Sequence, residues 1–166
     1  LVVYTAISKT FNMAGLGSSC MMIPNPELKQ KISDSYDACW MFGPCDLAFT
    51  AMEAAYTHGD AWVDQQLAYL EGNVETVNTF VAEHMPGVQV TKHEGTFLMW
   101  LDMTCFGKSS RELTSILAKE YGLALGDGSH YGTQAEGFMR LNIGCTRDTL
   151  IKGLEQMAVM YDKYVK

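Results

Sequence analysis

Tyr4-Thr5-Ala6-Ile7-Ser8-Lys9-Thr10-Phe11-Asn12-Met13-Ala14-Gly15-Leu16 places a single lysine at the end of an apolar, β-branched run. Leu1 to Ile7 reads as a buried strand by its apolar character, and the hydroxyls and small residues that follow read as its exit into a loop. A lysine held there is poorly solvated. Desolvation disfavours the ammonium, lowers its pKa and frees an amine that can attack a carbonyl, which is the chemistry a Schiff base requires. The competing reading is a lysine that snorkels to solvent without a chemical role, and spacing alone favours it.

Working outward, Ser8 to Leu16 closely resembles the cofactor-lysine segment of the fold type I pyridoxal-phosphate enzymes of the aminotransferase class I/II superfamily. Within them it is most similar to the cystathionine β-lyase group of the MalY/PatB type. The same group's pattern continues in order through Ala54-Ala55-Tyr56, Gly59, Trp62, Tyr69-Leu70 with Asn73, and Glu94-Gly95-Thr96-Phe97-Leu98-Met99-Trp100-Leu101-Asp102. It closes on Gly137-Phe138-Met139-Arg140-Leu141-Asn142-Ile143-Gly144-Cys145, so the resemblance covers nearly the whole chain.

The resemblance implies an α/β protein in which residues 1–59 end the large cofactor-binding domain. Residues 60–166 would then form a small C-terminal domain, with helices packed on a mainly antiparallel sheet. It implies pyridoxal 5'-phosphate held by Lys9, a substrate α-carboxylate held by Arg140, and a loop around Tyr131 lining the substrate entrance. It also implies a homodimer sharing active sites across its interface.

The residues themselves leave these roles open. Arg140 stands on a strand face with Phe138 and Asn142, and it would equally suit an ion pair with a surface carboxylate. As a functional residue its planar guanidinium offers a carboxylate two parallel donors that lysine cannot reproduce. Thr5 and Ser8 have hydroxyls for a cofactor phosphate, or for local bonds to backbone. The SxxK pattern with an arginine eight residues on, seen in aspartate-aminotransferase-like relatives, is absent: Ala6 and Gly17 stand there. That fits the β-lyase group better than the classical transaminases. Ile7 replaces the proline or small turn residue common in the family. Glycines around Tyr131 would by themselves only make turns.

With 166 residues and a formal net charge of -7, the chain suits one ordinary domain or the larger part of two. An acidic surface without a basic, aromatic-laced cluster argues against nucleic acid. No apolar run approaches the roughly 20 residues needed to span a bilayer, and no basic segment precedes the opening run, so a cytoplasmic protein is expected. The cysteines, 5 in number and without a CxxC pair, read as mostly buried thiols rather than disulfides or zinc ligands. The histidines lack metal-ligand spacing. Because Leu1 already stands inside a core-like strand, a C-terminal portion of a longer enzyme is expected. The partners of the cofactor's ring nitrogen and stacking face would lie upstream, and this portion alone would be inactive.

Downstream, Gly15-Leu16-Gly17 lacks the third glycine of a dinucleotide fingerprint and reads instead as backbone that can approach the cofactor or a neighbouring chain closely. Met21 to Ile23 reads as a short strand ended by Pro24. Asn25-Pro26-Glu27 starts a helix, with asparagine as cap and proline in the first turn. A second helix covers about Asp46 to Thr57, closed by Gly59 in the usual C-terminal position. A long one runs from Asp60 to about Met85. Val88–Thr91, Thr96–Leu101, Leu123–Leu125 and Phe138–Ile143 read as strands, and Gly126 to Gly132 as a glycine-rich loop. Ser109-Ser110-Arg111-Glu112 forms a capping box before a helix ended by Gly122, and a final amphipathic helix carries Leu150, Leu154, Met157 and Tyr161.

These readings converge on a C–S β-lyase that eliminates a thiol from a small sulfur amino acid. The alternatives are an aminotransferase on the same scaffold, and a non-catalytic dimerisation or regulatory module.

Overall fold

In the computed structural model, which describes residues 1–41 and 43–166, the opening run makes a shorter strand than its composition suggests. Strand β1 (Val3–Thr5) pairs antiparallel with β2 (Cys20–Met22), Val3 opposite Met22 and Thr5 opposite Cys20. The segment is not buried as expected: Leu1 is 89% exposed and Tyr4 66%, while Ile7 is fully buried. The reason is that among the described residues β1 pairs with β2 alone, and a two-stranded ribbon buries little of either face.

The chain divides into two compact units, Leu1–Gln66 and Leu67–Lys166. In the first, a single helical turn, α1 (Ile7–Thr10), follows β1, and two helices, α2 (Pro26–Ala38) and α3 (Asp46–His58), come after β2. Asn25 caps α2 as expected, its Oδ1 accepting from the Leu28 amide at 2.9 Å. The core of this unit is small: Ile7, Phe11 and Ala55, with Met13, Leu16, Ala51, Met52 and Val63 packed against them. Phe11 lies edge-on to Tyr56 at 5.7 Å and stacks on Trp62 at 6.2 Å.

Gly59 closes α3 for a different reason than the expected left-handed turn. Its φ of -88° is right-handed, but a Cβ there would stand 2.3 Å from Phe11 Cε1 and 2.4 Å from the Ala55 carbonyl oxygen. Space, not dihedral, demands glycine. Gly17 is the opposite case: its φ of +59° is left-handed, and a Cβ would meet nothing within 4 Å.

Helix α4 (Asp60–His84) continues into the second unit. There β3 (Gln89–Val90), β4 (Leu98–Asp102), β5 (Gly126–Asp127) and β6 (Phe138–Asn142) form an antiparallel sheet in the order β3-β4-β6-β5. The strand expected over Leu123–Leu125 is displaced to β5. After Gly122 turns the chain at φ +64°, the Leu123 amide still bonds the Leu117 carbonyl, and Leu125 enters the core before pairing starts. Helices α5 (Ser110–Tyr121) and α6 (Arg147–Tyr164) complete the unit. The capping box before α5 is complete: Ser109 Oγ accepts from the Glu112 amide, and Glu112 accepts from the Ser109 amide at 2.9 Å. One core joins Val77, Val81 and Met85 of α4 and its end, Leu113 and Leu117 of α5, and Leu154, Met157 and Met160 of α6 to Met99, Leu101, Met139 and Leu141 of the sheet.

All five cysteines are free. Contrary to expectation they are not mostly buried: Cys20, Cys39 and Cys45 are exposed, because they sit on the ribbon and at helix ends, outside the small core.

Candidate active site

Strict alternation along β4 and β6 gives the sheet two faces. Met99, Leu101, Met139 and Leu141 are buried, while Leu98, Trp100, Asp102, Phe138 and Arg140 are half-buried and Asn142 is exposed on the other face. Arg140 is central on that outer face, opposite Trp100 on β4 and Gly126 on β5. Its guanidinium carbon lies 4.9 Å from the centroid of the Tyr131 ring. Trp100 meets Tyr131 edge-on at 5.4 Å and stacks on Phe138 at 5.9 Å. Among the described residues no carboxylate lies within ion-pair distance of Arg140 and no hydrogen bond engages its guanidinium. The surface ion pair that a strand arginine usually finds is therefore not made.

Tyr131 is placed by structure where the sequence suggested a plain loop. Residues Gly128–Tyr131 form a 3-10 turn, entered through Asp127, whose carboxylate accepts from the Ser129 amide at 2.9 Å and hydroxyl at 2.7 Å. The Ser129 hydroxyl bond chiefly holds the Asp127 carboxyl below the usual carboxylate range. Gly128 is pressed onto the sheet: a Cβ would stand 2.2 Å from the Phe138 carbonyl oxygen and 2.4 Å from that of Ala135. Buried Ser110 ties the same corner to α5, its Oγ accepting from the Gly137 amide at 2.7 Å.

In the first unit Lys9 sits in the last turn of α1 and is exposed. The dry environment expected of it is not present, since the apolar residues before it are themselves largely exposed and Ile7 alone turns into the core. Ser8 and Thr5 are half-buried, and Thr5 Oγ1 shares a hydrogen bond with the Tyr56 hydroxyl at 2.9 Å. Ser18, 5% exposed, has a buried Oγ without a hydrogen-bond partner among the described residues.

A family model described as aminotransferase class I and II matches residues 1–157. The chain belongs to the aminotransferase class I and II family. Among its relatives in that family, cystathionine β-lyase PatB of Bacillus subtilis is 38% identical over 94% of this chain and 40% of its own length. Protein MalY of Escherichia coli is 32% identical over 90% of this chain and 39% of its own. The fold matches the crystal structure of cystalysin from Treponema denticola, which contains a pyridoxal 5'-phosphate cofactor, with a TM-score of 0.90 and 26% identity over 99% of this chain and 42% of that one. The chain thus spans about two fifths of the length of each of these two relatives.

Two features of this family member escape sequence reasoning. The first is the placing of Trp100 and Gly126 beside Arg140, which depends on strand register. The second is a polar lock in the second unit. Buried Asn73 donates to the Ile143 and Cys145 carbonyls at 2.8 and 3.3 Å and accepts from Arg147 Nε, while the Tyr69 hydroxyl accepts from the Arg147 amide at 2.8 Å. A helix-face asparagine amid apolar residues is the one sequence signal for it. A groove of about 400 Å³ beside α4, lined by Leu67, Leu70, Glu71 and Val74 among others, includes none of Arg140, Tyr131 and Trp100. Among the described residues no helix is long and apolar enough to cross a membrane, and no three His, Cys, Asp or Glu side chains gather to hold a metal ion.

Proposed function

We propose that this chain supplies the lysine-bearing and carboxylate-binding parts of a pyridoxal-phosphate C–S β-lyase. The enzyme would remove a thiol from a sulfur amino acid such as cystathionine and leave pyruvate and ammonia. The observation that carries the reading is Arg140: half-buried, centred on an aromatic sheet face, and without a carboxylate partner among the described residues. Kinship with PatB and with a Corynebacterium glutamicum protein, both named cystathionine β-lyase, supports the choice of reaction.

The residues present fit the cofactor. An aldehyde needs a primary amine it can reach, and Lys9 is exposed beside the half-buried hydroxyl of Ser8. Lys9 would hold the cofactor through Nζ, with Ser8 and Thr5 contributing hydroxyls to its phosphate. When bound, pyridoxal phosphate supplies an electron sink for charge developing on the substrate α-carbon. With the cofactor in place, Lys9 Nζ would serve as the base for the substrate α-proton. Arg140 holds the α-carboxylate through two parallel N–H donors, and Tyr131 borders the same face.

We assign residues 1–59 to the end of the large domain and 60–166 to the small one, in a homodimer. Exposed Leu47 and Phe49 of α3 support a covered surface there. Five free thiols, three of them exposed, suit the reducing cytoplasm.

The test is the complete protein with cystathionine. Pyruvate and thiol released in equal amounts without an added 2-oxo acid are expected; turnover only with a 2-oxo acid would replace the lyase by an aminotransferase, the activity its family is named for. In Lys9→Ala, borohydride followed by mass analysis should trap no cofactor on the chain. An adduct that persists would remove Lys9 from the site.

A further inference from the structure

On the outer sheet face, Arg140 is held by residues that carry no charge. An arginine side chain with no hydrogen-bonded partner samples many rotamers, and a ligand that captures it must offset that freedom. Here the freedom is restricted from three sides. Gly126 lies opposite Arg140 so closely that a Cβ there would stand 3.1 Å from Arg140 Cβ and 3.3 Å from Nε. Trp100 lies opposite on the other side. The Tyr131 ring lies against the guanidinium at 4.9 Å.

Tyr131 itself is 53% exposed, so its own turn does not bury it. What fixes its ring is Trp100, which meets it at 87° and 5.4 Å and is in turn stacked on Phe138 at 24° and 5.9 Å. Edge-to-face and offset-stacked pairs at these separations are attractive, and a guanidinium over a tyrosine face is attracted by the ring quadrupole. The three contacts form a series from the sheet outward: Phe138 to Trp100, Trp100 to Tyr131, Tyr131 to Arg140.

We propose that Trp100 is a positioning residue for Arg140, acting through the Tyr131 ring to hold the guanidinium ready for the substrate α-carboxylate. This rests on the carboxylate role given to Arg140 above. Trp100 touches neither substrate nor cofactor in this scheme; it lowers the cost of ordering the arginine. The arginine contact is made before and during reaction alike, so its loss falls on KM rather than kcat.

The test is a double-mutant cycle in the complete, cofactor-loaded protein, with Trp100→Leu, Arg140→Lys and both together. Trp100→Leu should raise KM for cystathionine about 10-fold with kcat within about 2-fold, and Trp100→Phe should recover most of the loss. In the Arg140→Lys background, Trp100→Leu should raise KM by less than about 2-fold, since the group it positions is gone. Equal effects in both backgrounds, or a fall in kcat at constant KM, would overturn the proposal. A cycle in which Arg140→Lys itself leaves KM unchanged would instead overturn the carboxylate role, so the two failures are distinct.

A readout independent of turnover is the Arg140 Nε–H resonance, assigned by its loss in Arg140→Lys. It should lie upfield under the Tyr131 ring current and move to the ordinary arginine position in Trp100→Leu; an unshifted resonance in the parent protein would count against the proposal. If Trp100→Leu fails to fold, exposed Tyr131→Leu enters the same cycle with the same expected outcomes.

Discussion

Arg140 and Tyr131 are stacked, guanidinium carbon to ring centroid 4.9 Å, with no carboxylate within ion-pair distance of the arginine among the described residues. A ring neutralises no charge, so the arginine keeps its donors for an anion. Lysine in its place would retain the charge and lose the planar fork. Arg140→Lys should lower kcat/KM for an amino-acid substrate about 10- to 100-fold, mostly through KM. A substrate analogue lacking the α-carboxylate should show no such difference, and steady-state kinetics with both compounds checks it.

Gly128 carries the Tyr131 turn against β6, with backbone oxygens of Phe138 and Ala135 where a side chain would begin. Backbone cannot swing aside as a flexible side chain can. Gly128→Ala should therefore cost about 2 kcal/mol or more in urea unfolding. It should also raise KM at temperatures where the variant is folded, because the turn carries Tyr131 away from Arg140.

Asn73 is fully buried and joins α4 to the segment after β6 through the Ile143 and Cys145 carbonyls and Arg147. Asn73→Ala leaves those groups without their partner inside the fold. A loss of about 2–4 kcal/mol is expected from such stranded polar groups. Urea unfolding measures it, and a change under about 0.5 kcal/mol, the size of an ordinary surface effect, would show that water replaces the amide there.

Glu112 is held below the usual carboxylate range by hydrogen bonds from the Ser109 hydroxyl and amide. Its folded pKa lies under its unfolded one, so its contribution is complete above the unfolded value and disappears as pH falls through the folded value. Glu112→Gln should thus be less stable than the parent at neutral pH, and the two should converge in acid. Parallel denaturation curves from pH 7 down to pH 3 check the sign.

Much of the fold is legible in sequence because its signals are short-range. The Asn25 cap, the Ser109–Glu112 box, the Gly122 turn and the alternation along β6 each involve residues a few positions apart, and each stands as read. Signals that depend on what covers a segment misled. The apolar opening run promised a dry Lys9, yet in this chain the lysine is exposed, because among the described residues β1 pairs with β2 alone. Composition reports a preference for burial; a neighbour must exist to satisfy it.

By itself, then, the sequence determined the longer helices, the Asn25 and Ser109 caps, the alternation along β6 and the family, since local hydrogen bonds and periodicity are written in adjacent residues. Only the tertiary structure decided that Trp100, Gly126 and Tyr131 surround Arg140 and that no carboxylate among the described residues does. Those neighbours come from two separate segments, β4 and residues 126–131, and strand register together with the packing of Gly128 brings them to one guanidinium.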